Sequence, residues 1–433
     1  MTSSKYNKFV LLVLFSLFAS IPVLAYFGDY VSISDSSDLL ELRENIGDVR
    51  ETITEVELDA LAGGLVTTDS GTTEYNQYIR LKNVITGNNS IVNSIVSPFV
   101  DFTKSPSQEV QDFLVVHTGD TPSDAFFEYE LEFDNGFVST IADGKLSHLF
   151  GEEIKIFNDK YSFIDSSIDT DKNSLTLDLM KNAAFGTMEE GEVKTFTVDG
   201  VEYEIEVLII EDTTPATVTF KVNEKISDQL VEGASQKLFE HFIIVVAKII
   251  LNESGEAGSG DLVDVYVGGQ KMSLADEDYS DWDMTSFPNP SLGYTEGFSL
   301  DNQLIENAFV QIRGSETESG LFSLDSIKYR LTPASYSEGN QLYVEQGEGI
   351  REHLHQPEAM LGSWDIRYVG LDDVGVSILK FEPAGDDEYN IELENQNGQV
   401  YKWPFVTNEG GTFKYGDKDD DFVFIEGYID LEK

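Results

Sequence analysis

The sequence predicts a mainly β protein, built from tandem β-sandwich-like modules with a short helical segment near the mature amino terminus. Apolar residues recur at every second position in three stretches, 127–133, 202–209 and 389–393, mostly with glutamates between them, and this period of two is typical of half-buried strands. Turn signals stand next to each stretch. Aromatic residues make up 12% of the 433 residues, which separates the chain from disordered acidic segments that have no core to fill.

A helical period appears near the start of the mature chain. Between residues 39 and 56 the apolar residues recur at spacings of three and four, and residues 35–38 offer N-caps. Gly47 lies inside this pattern, so one continuous helix and two short helices both remain open. This stretch supplies the helical part of the predicted fold.

The first two alternating stretches predict β-hairpins. The stretch 127–133 is followed by Asp134-Asn135-Gly136, which predicts a turn. The stretch 202–209 follows a turn signal at Asp199-Gly200, and a further strand is expected after Pro215. In both stretches the apolar residues share one face and the glutamates share the other.

A third hairpin is predicted near the carboxyl end. The stretch 389–393 precedes Asn397-Gly398, and residues 400–403 supply the return strand. Because these hairpins lie in separate halves of the chain, they favour several β-sandwich or barrel modules in tandem over one large sheet.

The amino end predicts an export signal. Lys5 and Lys8 precede an almost unbroken apolar run over residues 9–24, and Ala25 completes a small-residue cleavage site. Residues 1–25 are therefore predicted to be a signal peptide, and the mature protein to be extracellular, on the cell surface. A retained membrane anchor is the alternative, because the apolar run approaches the length of a spanning helix.

The mature chain is predicted to contain three parts. These are a mixed helical and β region, 26–148, a central β domain, 149–272, and a C-terminal β-sandwich-like domain, 273–433. The last boundary follows from two polar, Gly- or Pro-containing stretches, 255–260 and 273–290, which are typical of connections.

The charge of the chain limits its partners. The 79 Asp and Glu residues outnumber the 28 Lys and Arg residues, which gives a formal net charge of −51. A field of this sign repels nucleic acid and anionic lipid and attracts cations, so no nucleic-acid partner is expected. The chain has no cysteine, so an exported protein of this sequence must be stabilised by core packing, metal ions or contacts between subunits.

The sequence contains no recognisable catalytic motif, and we expect that the protein is not an enzyme. Gly144-Lys145 is followed by Leu146, where a phosphate-binding loop needs a hydroxyl residue. Neither a Gly-x-Ser-x-Gly elbow nor a His-Glu-x-x-His helix is present.

One group of residues could bind a transition metal. His353 and His355 are two positions apart and would share one face of a strand, close to Glu352 and Glu358. The simpler interpretation is two solvated histidines in a loop before Pro357, and the sequence favours it.

Acidic loops are stronger candidates for a hard cation. Carboxylates are crowded between Tyr415 and the apolar residues 422–425, and oxygen-only clusters suit Ca²⁺. A similar acidic run lies at 276–283, and for both loops a solvated surface is the alternative. Residues 169–173 begin like a Ca²⁺ loop, but Ser174 replaces the required glycine, so a hairpin turn is predicted there. The residues predicted to bind structural Ca²⁺ are Asp417, Asp419, Asp420 and Asp421.

Two Asn-x-Ser sequences are acceptors for N-glycosylation in an exported protein. They are Asn88 with Ser90, and Asn252 with Ser254. Both lie beside Gly- or Ser-containing segments, where exposed turns are expected.

Short phrases across the mature chain carry a family resemblance. The most specific lie at 149–156, 161, 173–177, 190–192, 195–200, 203–205 and 252–263, and less specific ones lie at 58–64, 357–361 and 415–417. Together they resemble archaeal surface-layer (S-layer) proteins of the type found in small-genome symbiotic lineages. Residues 239–250 are more apolar than this resemblance implies, which predicts packing against a neighbouring module or subunit.

The resemblance implies a structural subunit of an archaeal cell-surface layer that self-assembles into a two-dimensional coat. Such a subunit would be β-rich, N-glycosylated and stabilised by cations such as Ca²⁺. Its partners would be other copies of itself, together with cell-envelope glycans or lipids. The alternative is a secreted β-sandwich adhesin or carbohydrate-binding protein, which would need an exposed aromatic platform. The three tryptophans available for such a platform are Trp282, Trp364 and Trp403.

Overall fold

Strands dominate the computed structural model of the protein: they make up 63% of the residues that it describes, and helical turns make up 5%. This composition and the division into separate sheets confirm the predicted mainly β fold. The structure describes residues 17–19, 22–25, 30–32, 40, 42–68, 71–82, 95–104, 110–119, 124–252, 260–279, 297–317, 320–333, 341–373, 378–385, 388–394 and 400–415.

The strands of the described residues pair antiparallel throughout. In chain order the first are β1 Leu17–Ala19, β2 Pro22–Ala25, β3 Tyr30–Ser32, β4 Thr52–Ile53, β5 Gly64–Thr68, β6 Gly71–Arg80, β7 Phe99–Lys104, β8 Val110–His117, β9 Phe127–Ala142, β10 Lys145–Leu146, β11 Glu153–Ile156, β12 Asp159–Asp169, β13 Ser174–Lys181, β14 Ala184–Glu189, β15 Val193–Val198, β16 Val201–Glu211 and β17 Thr217–Val222. The remainder are β18 Lys225–Ile226, β19 Leu230–Val231, β20 Ser235–Phe239, β21 Phe242–Ile250, β22 Leu262–Gly268, β23 Gln270–Asp276, β24 Gly297–Leu300, β25 Gln303–Leu304, β26 Ala308–Glu316, β27 Leu321–Leu331, β28 Gln341–Val344, β29 Trp364–Ile366, β30 Leu371–Asp373, β31 Ile378–Pro383, β32 Glu388–Glu394, β33 Val400–Glu409 and β34 Thr412–Tyr415.

The predicted helical segment is short. The helix α1 spans Ile46–Val49, and the continuous helix considered for residues 39–56 is wrong, because the chain then forms β4, which pairs with β6. Pairing with the sheet buries Ile53 completely, so tertiary contacts override the local helical period. A Cβ atom on Gly47 would lie 2.3 Å from the carbonyl oxygen of Leu81, which explains the glycine inside α1. Short 3-10 turns lie at Asp59–Leu61, Ile350–His353 and Pro357–Ala359.

The larger unit, which we call the host sandwich, has two sheets around one hydrophobic core. The first sheet has the order β26-β27-β9-β6-β4, with β10 on β9 and β5 on β6. The second has the order β11-β12-β13-β23-β24-β25. Aromatic rings cross between them, with Phe137 5.7 Å from Phe163 and Tyr329 5.0 Å from Phe298 between centroids. The smaller sheets β28-β8-β7 and β29-β2-β3 extend the same unit.

A second unit, the inserted sandwich, lies between β13 and β23. Its sheets are β14-β22-β21-β20 and β15-β16-β17-β18, with β19 on β17, and they enclose a core of their own. Lys181 at the end of β13 lies directly opposite Gln270 at the start of β23, so the sandwich occupies the place of a hairpin turn. The boundary predicted after residue 272 lies inside β23, and the hydrophobic cores divide the chain near residues 182 and 269.

The apolar run 239–250 contacts a neighbouring module. Strand β21 has one face in the core of the inserted sandwich, and on its other face Ile243 and Val245 pack against Ile164 and Met180 of the host. This contact explains why the strand is apolar on both faces.

Two of the predicted hairpins are confirmed, and one predicted turn is wrong. Strands β15 and β16 meet at Asp199-Gly200, where both residues have positive φ, and β32 pairs with β33. Residues 134–136 do not form a turn: β9 continues through them with a bulge, because residues on both sides pair with β27. A Cβ atom on Gly136 would clash with the hydroxyl of Ser323, so the glycine fits a close approach between strands.

The carboxyl-terminal strands form a separate sheet with the order β31-β32-β33-β34. One face is polar, and Lys380 and Lys402 form ion pairs with Glu392 and Glu382 there. The opposite face carries apolar and aromatic residues, among them Ile391. The predicted turn at 397–398 lies outside the described residues.

Candidate functional site

Most of the predicted metal ligands and glycosylation sites lie outside the part of the chain that the structure describes. This applies to Asn88 and to the four predicted Ca²⁺ ligands, Asp417, Asp419, Asp420 and Asp421. The predicted signal peptide is described only at the backbone of residues 17–19 and 22–25, which form short strands. These predictions stay predictions.

The other predicted glycosylation acceptor, Asn252, lies at the end of a strand of the inserted sandwich. It follows β21, at the end of the sheet opposite the junction with the host, because Ile250 pairs with Leu262 and Ile243 with Gly268. The residue is partly exposed, and its backbone amide donates a hydrogen bond to the Asp261 carboxylate at 2.8 Å. The acceptor therefore stands at the outer end of the inserted unit.

The acidic run 276–283 is described only as far as Tyr279. The Asp276 carboxylate accepts backbone hydrogen bonds from Ile312 at 2.6 Å and from Asp278 at 2.9 Å, so it connects β23 to β26. The residues predicted to form a turn at 169–173 do so, and Lys172 forms an ion pair with Asp169 at 2.7 Å. The carboxylates of Asp276 and Asp169 thus both have structural partners.

The structure does not bring the histidine candidates together. His353 lies in a 3-10 turn rather than a strand, and its Nε2 atom is 2.9 Å from a Glu348 carboxylate oxygen. Glu352 forms an ion pair with Arg367 at 3.2 Å instead. In the described residues, no three His, Asp or Glu side chains are grouped to bind a metal ion.

A cation that the sequence did not single out organises this turn. Arg351 donates hydrogen bonds to the backbone carbonyls of Trp364, Pro357, Met360 and Gly362 at 2.8 to 2.9 Å. Burial lowers the pKa of this guanidinium. No local signal marks the residue, because its acceptors are carbonyls whose positions depend on the fold.

A network of ion pairs lies on one face of the first host sheet. Glu128 accepts from Arg330 at 2.7 Å and from Lys328 at 3.2 Å, and Glu130 accepts from Arg80 at 2.8 Å. Glu128, Glu130 and Arg330 are all buried. The network joins β6, β9 and β27 and therefore belongs to the stability of the host.

Aromatic residues that could form an exposed platform lie on the carboxyl-terminal sheet. Trp364 is buried in the host core, Trp403 is partly buried, and Trp282 lies outside the described residues. Phe381 and Tyr389 are 44% and 49% exposed on the apolar face of the sheet, where Tyr389 pairs with Pro383.

Three more aromatic rings meet where the host joins the inserted sandwich. The buried ring of Tyr266 lies 5.4 Å from that of Phe150 in the host and 5.0 Å from that of Phe185 in β14, between centroids. Phe150 is 45% exposed and Phe185 is 51% exposed. Burial, helped by the charge of Asp264, raises the pKa of Tyr266 to about 12. We call Phe150, Phe185 and Tyr266 the junction patch.

No protein-family model, no curated protein and no solved structure matches the chain. Among the described residues, no helix has the length and apolar character needed to cross a membrane.

Proposed function

We propose that the protein is a structural subunit of an archaeal cell-surface layer, which self-assembles into a two-dimensional coat. The observation that carries this proposal is the resemblance to archaeal S-layer proteins, whose phrases fall on elements of both sandwiches. Residues 149–156 lead into β11 of the host, and residues 195–205 cover the hairpin of β15 and β16 in the insert. The role is mechanical, so no catalytic activity is expected.

The architecture and charge support the proposal. A coat subunit must remain folded outside the cell, and this chain has two sandwich cores and no cysteine. The predicted signal peptide, residues 1–25, would export it. A net charge of −51 favours a coat stabilised by divalent cations, since close acidic surfaces repel one another at physiological salt.

The proposed ligands follow from the sequence. Asp417 and its neighbours Asp419, Asp420 and Asp421 would share Ca²⁺ with carboxylates of an adjacent subunit, because hard cations accept six to eight oxygen ligands. Asn88 and Asn252 would carry glycans, and cell-envelope glycans or lipids would be further partners. Replacing Asp419, Asp420 and Asp421 with Asn should weaken ion-dependent assembly more than folding.

Electron imaging of native envelopes tests the coat role. We expect periodic arrays in which this chain is an abundant component, and we expect chelator to dissolve them while monovalent salt cannot replace Ca²⁺ in reassembly. Envelopes without arrays, or arrays that lack this chain, would reject the role. Arrays that survive chelator would reject the cation bridge alone.

A carbohydrate-binding adhesin is the second candidate function. It is favoured by Phe381 and Tyr389, which present two half-exposed rings on one face of a sheet. Replacing both with Ser should abolish adhesion to glycan-coated cells if this function is correct. Unchanged adhesion by that variant would reject the platform.

A further inference from the structure

We propose that the inserted sandwich is hinged on the host sandwich and is held closed by a polar latch, against the mutual repulsion of the two acidic units. The latch consists of Ser235 and Lys237 of the insert and of Asp301 and Asn302 of the host. The inference goes beyond the proposed function and does not rest on it, because it concerns contacts within one chain.

The chain crosses between the two units at two neighbouring points. Residues 182–183 lead from β13 into β14, and residue 269 leads from β22 back into β23. A backbone hydrogen bond from the Gly269 amide to the Lys181 carbonyl, at 3.3 Å, joins the two crossings. Since β14 and β22 are adjacent in the sheet β14-β22-β21-β20, both crossings attach to the same side of the insert. A few residues at the ends of strands are enough to form a hinge.

The latch lies at the opposite edge of the same sheet. Ser235 and Lys237 belong to β20, whereas Asp301 and Asn302 form the turn between β24 and β25 of the host. The Lys237 ammonium group donates to the Asp301 carboxylate at 2.6 Å, and the Asn302 side-chain amide donates to the Ser235 hydroxyl at 3.1 Å. The crossings therefore hold one side of the insert and the latch holds the other.

The host side of the latch is fixed by its own backbone contacts. The Asp301 carboxylate accepts from the Lys271 amide at 3.0 Å, and the Asp301 amide donates to the Lys271 carbonyl at 2.8 Å. The Asp301 side chain is 15% exposed, whereas that of Lys237 is 44% exposed. The carboxylate is thus held by the host alone, and Lys237 is the partner that moves with the insert.

The apolar contact between the units is small. It consists of Ile164 and Met180 of the host with Ile243, Val245 and Tyr266 of the insert, and each sandwich has a much larger core of its own. Relative motion is the default expectation for units that share only a small contact. A swing about the crossings would break this contact and the latch and would leave both cores intact.

The net charge of the two units opposes the closed position. Acidic residues outnumber basic ones in residues 182–269, as they do in the whole chain, so the insert and the host repel each other. Salt screens this repulsion and the Lys237–Asp301 ion pair alike, because the Debye length falls from about 30 Å at roughly 0.01 M to about 3 Å at roughly 1 M. The open populations with and without the ion pair must therefore be compared at each salt concentration.

Single-molecule energy transfer across the latch tests the proposal. The chain has no cysteine, so Gln303→Cys in the host and Glu224→Cys in the insert accept dyes at two exposed positions. Glu224 lies near the latch edge, because the adjacent Lys225 donates to the Leu238 carbonyl of β20 at 2.6 Å. Swinging of the insert should lower the energy transfer.

The variant Lys237→Gln removes the ion pair of the latch. At low salt it should raise the ratio of open to closed molecules about twofold to fivefold, the range that an exposed ion pair allows. In sodium chloride at roughly 1 M this difference from the wild type should disappear. Lys221→Gln, which removes the same charge from the insert away from the junction, is the matched control and should stay close to the wild type.

A second variant separates the latch from general effects of charge or misfolding. Asp301→Asn keeps an acceptor for the Lys271 amide and removes only the charge, so it should match Lys237→Gln. Combining the two changes should add nothing to either, because both remove the same interaction.

The outcomes decide between a latched hinge and a rigid junction. One unchanged level of energy transfer in the wild type, Lys237→Gln and Asp301→Asn, at low and at high salt, would overturn the proposal. Equal effects of Lys237→Gln and Lys221→Gln would also overturn it, because the response would then follow net charge rather than the latch. Additive effects of Lys237→Gln and Asp301→Asn would overturn it as well.

Discussion

Two strands with nearly the same sequence have opposite surroundings in the two sandwiches. Residues 127–133 of β9 read FEYELEF, and residues 201–207 of β16 read VEYEIEV. Both strands bury the tyrosine and the two apolar residues that follow it on the same face, Leu131 and Phe133 in β9 and Ile205 and Val207 in β16. On the other face, Glu128 is only 1% exposed, whereas Glu202 is exposed.

The neighbouring strands cause this difference. In the host, β6 and β27 place Arg80 and Arg330 beside Glu128, because both residues pair with it in the sheet. In the insert, the strand β15 places Thr197 opposite Glu202, so the residue paired with this glutamate is not a cation. A strand's own sequence therefore sets which residues share a face, and its neighbours decide whether a charged face can be buried.

The largest effect is expected when the equivalent glutamates, Glu128 and Glu202, are each replaced by glutamine. Glu128→Gln removes the carboxylate charge that faces the buried Arg330 guanidinium, and removing one partner of such a pair costs about 3–5 kcal/mol. Glu202→Gln should change the free energy of unfolding by less than about 0.5 kcal/mol. Urea unfolding followed by far-UV circular dichroism measures both units, and hydrogen exchange of peptides 127–133 and 201–207 assigns each loss to its unit. Equal effects of the two variants would contradict the comparison.

Removing the insert tests whether the two units are separable. Residues 182–269 are replaced by Asn-Gly, which suits a two-residue turn between Lys181 and Gln270. The host should fold but lose about 3 kcal/mol, because Ile164 and Met180 lose their apolar cover. Thermal unfolding measures the loss, and adding Ile164→Thr should improve solubility. A truncated host that fails to form its β-sheet, as judged by circular dichroism, would show that the insert is part of its folding unit.

Acid should destabilise the host sandwich more than the inserted sandwich. Burial raises the pKa of Glu128, but Arg330 and Lys328 together outweigh burial and hold this pKa below its ordinary value of 4.5. The stability from this carboxylate is therefore complete above pH 4.5 and is lost as the pH falls through the lowered pKa. The host should lose less stability in acid when Glu128 is replaced by Gln. Hydrogen exchange of peptides 127–133 and 201–207 at two pH values measures both units, and an equal acid response of wild type and variant would contradict this assignment.

The same contrast shows how far the sequence could predict the fold. The period of two located β9, β16 and β32, and Asp199-Gly200 located a turn, because these signals are local. Asp134-Asn135-Gly136 gave an equally good local signal, yet pairing with β27 on both sides kept the strand continuous. Likewise, the insertion of a whole sandwich between β13 and β23 depends on a pairing between distant residues.

The candidate contact surfaces, too, could be predicted only where the sequence carries a local signal. The excess of apolar residues in 239–250 predicted a contact with a neighbouring module, and Ile243 and Val245 make that contact. The junction patch had no signal of its own, because Phe150, Phe185 and Tyr266 come from three separate segments. Single aromatic residues in a sequence do not show which of them remain exposed.

The smallest expected effect concerns the ion pair of the insert that corresponds to the host network. Lys221 on β17 lies opposite Glu206 on β16, with 3.6 Å between the charged atoms. Both side chains are more than one third exposed. Water and salt screen such a pair, so Lys221→Gln should lower the free energy of unfolding by no more than about 0.5 kcal/mol.

The host residue Lys328 is the matched control, because it contacts both Glu128 and Glu130 and its side chain is only 19% exposed. Lys328→Gln should cost several times more than Lys221→Gln, and added salt should reduce the effect of Lys221→Gln proportionally more. Urea unfolding at low and high salt measures both variants, with hydrogen exchange assigning each loss to its unit. If Lys221→Gln cost as much as Lys328→Gln, the exposed glutamates of β16 would be as strongly coupled to their neighbours as the buried ones of β9. The difference between the two strands would then lie in solvent exposure alone.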